Sequence, residues 1–214
     1  MLGSIVSAIA RLGELGGSVV GMRHGTEEPR YTVEERIPGV EIRRYGPRIA
    51  AETAVAASEA AARNVGFRRL ARYIFGANHA AAKITMTAPV AHEPGCARGE
   101  KIAMTAPVSQ RAGAEGEWVI RFFMPADKTM ESLPEPDDDA VKLFSVSSET
   151  VAVRRFTGSR SQQAVAAQTA ELMRALPNYG FEPTGPPAAW FYDPPWTIPM
   201  LRRNEIVVPV KPNP

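Results

Sequence analysis

The sequence predicts a single α+β domain built from two similar halves, each with strands, one long helix and then two more strands. Three observations carry this. Two stretches, starting at Phe67 and Val165, show apolar residues at helical spacing. Segments with strand-like alternation flank each stretch. The 214-residue chain also holds 19 prolines and 17 glycines, too many breaks for a plain helical bundle. The halves run over about 31–125 and 141–210. Neither has enough strands or helix to bury both faces of a sheet alone. One pseudo-twofold domain over 31–214, made of two β-α-β-β halves, is therefore expected, preceded by an amphipathic segment and linker over 1–30. A cleft between sheet and helices is the usual place for a small ligand.

The elements follow in order. Leu2, Ile5, Val6, Ile9, Leu12, Leu15, Val19 and Val20 follow helical spacing, weakened by five glycines. Arg11 and Glu14 argue against a spanning helix, and no basic region precedes the apolar stretch as in a signal peptide. This helix is expected to pack on the domain or on a partner, with a membrane-surface anchor over 1–22 as the alternative. A cytoplasmic location is the expectation. Tyr31–Ile37 and Val40–Tyr45 read as strands joined by the turn dipeptide Pro38-Gly39. Gly46-Pro47 precedes a third strand over 49–55. Ser58 is a candidate helix N-cap, with Glu59 favouring the helix dipole. Phe67, Leu70, Ala71, Ile74 and Phe75 then mark an amphipathic helix that Gly76 stops.

In the second half of the chain, Trp118, Ile120, Phe122 and Met124 share one side of a strand over 118–124. Pro134-Glu135-Pro136-Asp137-Asp138-Asp139 reads as a solvated acidic connector. Strands are expected over 141–146 and 150–156. Val165, Thr169, Leu172, Met173 and Leu176 face one way on a second helix, ended by Pro177. Strands over 188–192 and 205–210 close the domain. Trp190, Phe191, Tyr192 and Trp196 are either a cap on the sheet or a pocket wall.

Charge and metal ligands narrow the function. There are 25 basic and 23 acidic residues, a net charge of +2, and no basic stripe with interleaved aromatics. No nucleic-acid partner is expected. Arg63, Arg68, Arg69 and Arg72 fall within the first helix and read as a solvated face. One cysteine excludes a disulfide framework and a multi-cysteine metal site. His24, His79 and His92 read as surface histidines, and Cys96 has no visible catalytic partner. HExxH, GxSxG, P-loop and GxGxxG patterns are missing, so no enzymatic activity is expected.

The clearest motif is a repeat. Lys83-Ile84-Thr85-Met86-Thr87-Ala88-Pro89-Val90 returns as Lys101-Ile102-Ala103-Met104-Thr105-Ala106-Pro107-Val108, identical at seven of eight positions and offset by 18. Each copy alternates like a strand, with Ile102, Met104 and Ala106 expected on one side. Met86 and Met104 either fill a core or line a pocket for a flat apolar ligand.

This repeat, the stretch Val40-Glu41-Ile42-Arg43-Arg44-Tyr45-Gly46-Pro47, and Tyr192-Asp193-Pro194-Pro195 followed by Arg202-Arg203-Asn204-Glu205 together resemble the SOUL heme-binding protein family over about 31–210. The resemblance implies a distorted antiparallel β-barrel flanked by two long helices. It also implies non-covalent binding of heme or a related tetrapyrrole in an apolar cleft, as carrier, buffer or sensor. Asn64, Phe67, Arg68, Ala71 and Arg72 match the family's pocket helix, with Arg72 placed to pair with a propionate. Some members carry a histidine iron ligand in the strand motif. Here that position is Arg44, which stays protonated and does not serve as an ordinary axial ligand. His79 is the fallback ligand. Such two-halved barrels also resemble the effector-binding domains of bacterial regulators. An acid in the central cleft, Glu182 or Glu205, would favour that alternative or a tetrapyrrole-acting enzyme.

Overall fold

The computed structural model describes residues 26–79, 99–114 and 116–213. The N-terminal amphipathic stretch, the first copy of the repeat with Met86, and His24, His92 and Cys96 lie outside these residues. Strands β1 (Tyr31–Ile37), β2 (Val40–Tyr45) and β3 (Arg48–Ala56) lead into helix α1 (Glu59–Ile74). β4 (Asn78–His79), β5 (Val108–Ala112), β6 (Glu117–Phe123) and β7 (Glu135–Pro136) follow, then β8 (Lys142–Val146) and β9 (Glu149–Phe156). Helix α2 (Gln162–Ala175) comes next, then β10 (Phe181–Pro183), β11 (Ala188–Phe191) and β12 (Asn204–Pro212).

The main sheet is antiparallel and runs β1-β2-β9-β12-β11-β5-β6-β3-β8, with β10 attached to β12. It curls into a half-barrel and does not close, so the expected barrel is an open one. The order contains its own twofold. From the middle pair β5 and β11, one side runs β6-β3-β8 and the other β12-β9-β2. Each half pairs with a strand of the other: β2 of the first half with β9, and β8 of the second half with β3. The two halves therefore share one sheet.

Local chemistry explains the elements. Gly39 adopts a φ of +74°, which the tight β1–β2 turn requires. The Ser161 hydroxyl accepts a hydrogen bond from the Ala164 amide at 3.3 Å and caps α2. Ser58 starts α1 without a side-chain cap bond. Pro177 does not end the second helix abruptly. It sits in a 3-10 turn, Leu176–Tyr179, where its missing amide hydrogen costs little.

Both helices cover the convex side of the sheet. α1 buries Leu70, Tyr73 and Ile74 against Ile120, Phe122 and Met124, and α2 buries Leu172 and Leu176 against Ile206 and Val208. A third cluster fills the concave side, with Tyr45, Phe123, Trp190 and Tyr192 at its centre. Trp190 and Tyr192 thus belong to the core, whereas Trp196 is 57% exposed.

Two expectations fail. The second copy of the repeat is irregular from Lys101 to Ala106 and becomes a strand only at Val108, after a cis Ala106–Pro107 bond. Its side chains do not share a side: Ile102 and Ala106 are buried and Met104 is 39% exposed. The apolar stripe of α1 also divides. Leu70 and Ile74 are buried, while Phe67 and Phe75 are 37% and 61% exposed. The closest approach to the sheet is at Gly66, whose lack of a side chain lets the helix sit against Ile120.

Candidate ligand-binding site

The surface stripe of α1 opposite its buried face carries Asn64, Phe67, Arg68, Ala71 and Arg72. All are exposed except half-buried Ala71. Residues three and four apart on a helix are neighbours, so these side chains form one continuous surface that Phe75 extends. The Phe67 ring leans on Phe122 with centroids 5.4 Å apart and planes at 63°. Among the described residues, neither Arg68 nor Arg72 makes an ion pair.

The other two arginines of the helix are engaged. Arg63 donates to the Arg160 carbonyl at 3.2 Å and sits over the Phe191 ring. Arg69 donates to Thr53 Oγ1 at 2.9 Å and lies 3.2 Å from Asp138 Oδ2. The run of four is therefore two structural arginines and two available ones.

The C-terminal end of α1 is tied down by Asn78. Its amide donates to the Tyr73 carbonyl at 2.7 Å and the Glu100 carbonyl at 2.9 Å, and its oxygen accepts from the Glu100 amide at 2.8 Å. The Tyr73 hydroxyl donates to the Pro134 carbonyl at 2.9 Å. These bonds draw the acidic segment against the helix end and frame a cleft of about 400 Å³ lined by Arg69, Arg72, Tyr73 and 136–139. The acidic side chains of the connector are exposed, as expected, and the segment also forms one wall of the cleft.

His79, expected in a loop, lies on β4 beside that wall, paired with β7. Its Nδ1 is 2.8 Å from Asp137 Oδ1 and its Nε2 is 3.4 Å from Glu135 Oε2. The hydrogen bond to Asp137 raises its pKa against an opposing desolvation, with the charges of Asp137 and Glu135 adding to the effect. A carboxylate on Nδ1 is the arrangement that orients imidazole ligands toward a metal.

Residues 26–209 match the SOUL heme-binding protein family. The chain belongs to that family. Among solved structures, this SOUL chain is similar to the EcmrR C-terminal domain at 12% identity, covering 85% of this chain and 98% of that one, with a TM-score of 0.54. It is also similar to EcmrR in a DNA complex, at 13% identity and a TM-score of 0.56, over 84% of this chain and 60% of that one. At these identities the likeness shows the fold alone. No curated protein matches the sequence.

The residues fit the organic part of a tetrapyrrole. Phe67 and Phe75 are exposed aromatic side chains of the kind that pack on a macrocycle, and Arg68 and Arg72, without an ion pair among the described residues, are of the kind that pairs with carboxylates. The fit to iron is narrower. Arg44 is exposed on β2, and His79 is the one imidazole among the described residues, held between two carboxylates.

The concave side holds a network that sequence reasoning missed. Glu205 is fully buried. It accepts from Arg43 at 3.0 and 3.2 Å, from Arg203 at 3.0 Å and from the Tyr192 hydroxyl at 2.7 Å. Arg203 also pairs with Glu28 at 2.9 Å and stacks on Tyr192, its guanidinium carbon 3.8 Å from the ring centre. Burial alone would lower the Arg43 pKa, but the charge of Glu205 reverses this and raises it. A signal was present: Glu205 precedes Ile206, Val207 and Val208, and a charge at a core-facing strand position needs a buried partner. Neither Glu205 nor Glu182 is an acid of the central cleft. Glu182 is half exposed and pairs with Lys211 on β12 at 3.2 Å.

The buried tyrosines give a pH prediction. Burial pushes Tyr45 and Tyr73 up to about 12, and burial together with the charge of Glu205 pushes Tyr192 well above its ordinary value. Their folded pKa values exceed the unfolded value near 10, so the stability they contribute is complete below about pH 10 and is lost as pH rises toward about 12. Tyrosinate absorbance followed beside circular dichroism should show these three ionising together with unfolding. Ionisation of all three in a chain of intact ellipticity would contradict it.

Proposed function

We propose that this chain is a non-enzymatic carrier or buffer that binds heme or a related tetrapyrrole on the outer stripe of α1. Family membership supports tetrapyrrole binding in general. The observation that carries the assignment to this surface is the pairing of exposed Phe67 and Phe75 with two guanidiniums, Arg68 and Arg72, that have no ion-pair partner among the described residues. The rings take the macrocycle face and the arginines its propionates. Asn64 and Ala71 complete the stripe, and Met104, exposed on the segment after the helix, adds an adaptable thioether. Met86 is the corresponding position of the first repeat copy. The guanidiniums serve a small dicarboxylate in this reading, not a nucleic-acid backbone. His79, oriented by Asp137, is the proposed iron ligand, and its exposure makes that ligation exchangeable. A cytoplasmic setting is part of the proposal.

Hemin titration followed by absorbance tests this. Binding should approach one hemin per chain with a shifted Soret band. Phe67→Ala and Arg72→Ala should each weaken it about tenfold, the loss of roughly 1.4 kcal/mol expected for one half-buried ring or one charge-assisted bond. Arg36→Ala, on an exposed strand edge, should leave affinity unchanged. His79→Ala should change the spectrum more than the affinity. Equal hemin affinity in the wild type, Phe67→Ala and Arg72→Ala would remove the site.

A further inference from the structure

We infer that the cleft between the two helices is a second binding site, for a small flat neutral molecule with an amide edge, such as a lactam. The fold places it on the pseudo-twofold. α1 covers β3 and β6 while α2 covers β9 and β12, which leaves the central pair β5 and β11 as the floor of a gap of about 360 Å³. Pockets of this size hold small ligands. It is too small to enclose a macrocycle with two propionates.

The lining is mostly apolar, with Val165, Ala166 and Ala170 of α2 beside Gln162 and Thr169, and with Trp118 and Ala188 from the sheet. Such a slot suits a flat ring system. Its buried, unpartnered polar group is Gln110, on the floor. Gln110 is 2% exposed, and neither its amide nitrogen nor its oxygen has a hydrogen-bond partner among the described residues. Its register partners, Ala189 on β11 and Ile120 on β6, are both buried and apolar. Nothing in the packing calls for an amide here, and an apolar residue of similar size would serve the core better. A buried amide with both ends unmet is costly and calls for an explanation. A cis-amide edge matches it directly: the ligand N–H donates to the Gln110 oxygen and the ligand carbonyl accepts from its nitrogen.

Glu59 argues against an anionic ligand. It lines the same cleft from the first turn of α1 and is 8% exposed. Burial raises its pKa, opposed by Arg63 at 3.5 Å. A carboxylate-bearing ligand would meet it unfavourably, which separates this site from the arginine-bearing stripe on α1.

The test uses 2-quinolinone and N-methyl-2-quinolinone, which differ by the one N–H that Gln110 would receive. In nitrogen-15 spectra of the full chain, 2-quinolinone should shift the Gln110 side-chain amide signals and bind about tenfold more tightly than its methylated analogue. Gln110→Leu should raise the thermal midpoint and make the two probes equal. Ala170→Phe should fill the cleft and abolish binding of both. Saturating hemin should leave the 2-quinolinone affinity unchanged, so the result stands apart from the tetrapyrrole reading. Equal binding of the two probes to the wild type, unchanged preference in Gln110→Leu, or no shift up to the solubility limit would each overturn the proposal.

Discussion

Glu205→Ala is expected to destabilise the fold by about 3–5 kcal/mol, the range for removing one partner of a buried ion pair. The size follows from what remains. Arg43 is 4% exposed and Arg203 12%, and both direct N–H groups at the Glu205 carboxylate. Without it, Arg43 keeps Glu41, at 2.7 Å, and a long 3.4 Å bond to the Tyr45 hydroxyl, and Arg203 keeps Glu28. The Tyr192 hydroxyl loses its acceptor in a buried setting. Glu205→Gln retains the shape and an acceptor oxygen, so its cost should be smaller. Glu182→Ala, which breaks an exposed pair with Lys211, should cost about 0–1 kcal/mol. Urea denaturation of the three variants checks the order. A Glu205→Ala midpoint no lower than that of Glu182→Ala would mean that the network does not hold the half-barrel together.

That network shows where sequence reading reaches its limit. β1 and β2 were legible to the residue because Pro38-Gly39 separates two alternating runs. Both helices were legible from apolar spacing, although the cap read at Ser58 makes no side-chain bond and the one at Ser161 was not read. β5 was not, because Val108–Ala112 carries Ser109, Gln110 and Arg111 and lacks apolar alternation. Its place in the middle of the sheet is set by pairing with β6 and β11. The repeat misled in the opposite direction: a strong alternating pattern folds as an irregular segment with Met104 turned outward. Arg43 and Glu205 stand 162 positions apart, and no local pattern links them. The site followed the same rule. The stripe of α1 came from the family resemblance, because helical spacing alone put Phe67 and Ala71 on one face with Leu70 and Ile74. The cleft walls depend on 136–139 folding back onto the helix end, and Gln110 became notable only once its neighbours proved to be apolar.

Gly66→Val is expected to cost about 2–3 kcal/mol and to weaken hemin binding without touching any residue of the proposed stripe. A Cβ at position 66 would lie 2.4 Å from Ile120 Cγ1 and 2.8 Å from Ile120 Cβ, closer than packed carbons allow. Ile120 is fully buried in mid-strand and cannot rotate away. The helix must therefore lift. Valine is only a few tenths of a kcal/mol better than glycine in a helix interior, so propensity does not offset the clash. Lifting α1 shifts Phe67 away from Phe122 and moves Arg68 with it. Ile120→Ala removes Cγ1, the nearer of the two atoms, and leaves only the Cβ contact to be relaxed. The double variant should therefore be more stable than the sum of the single effects predicts, with an interaction term of about 1–2 kcal/mol. It should also recover part of the hemin affinity. Additive losses of stability, or hemin binding indifferent to Gly66→Val, would show that close contact between α1 and β6 does not set the geometry of the ligand face.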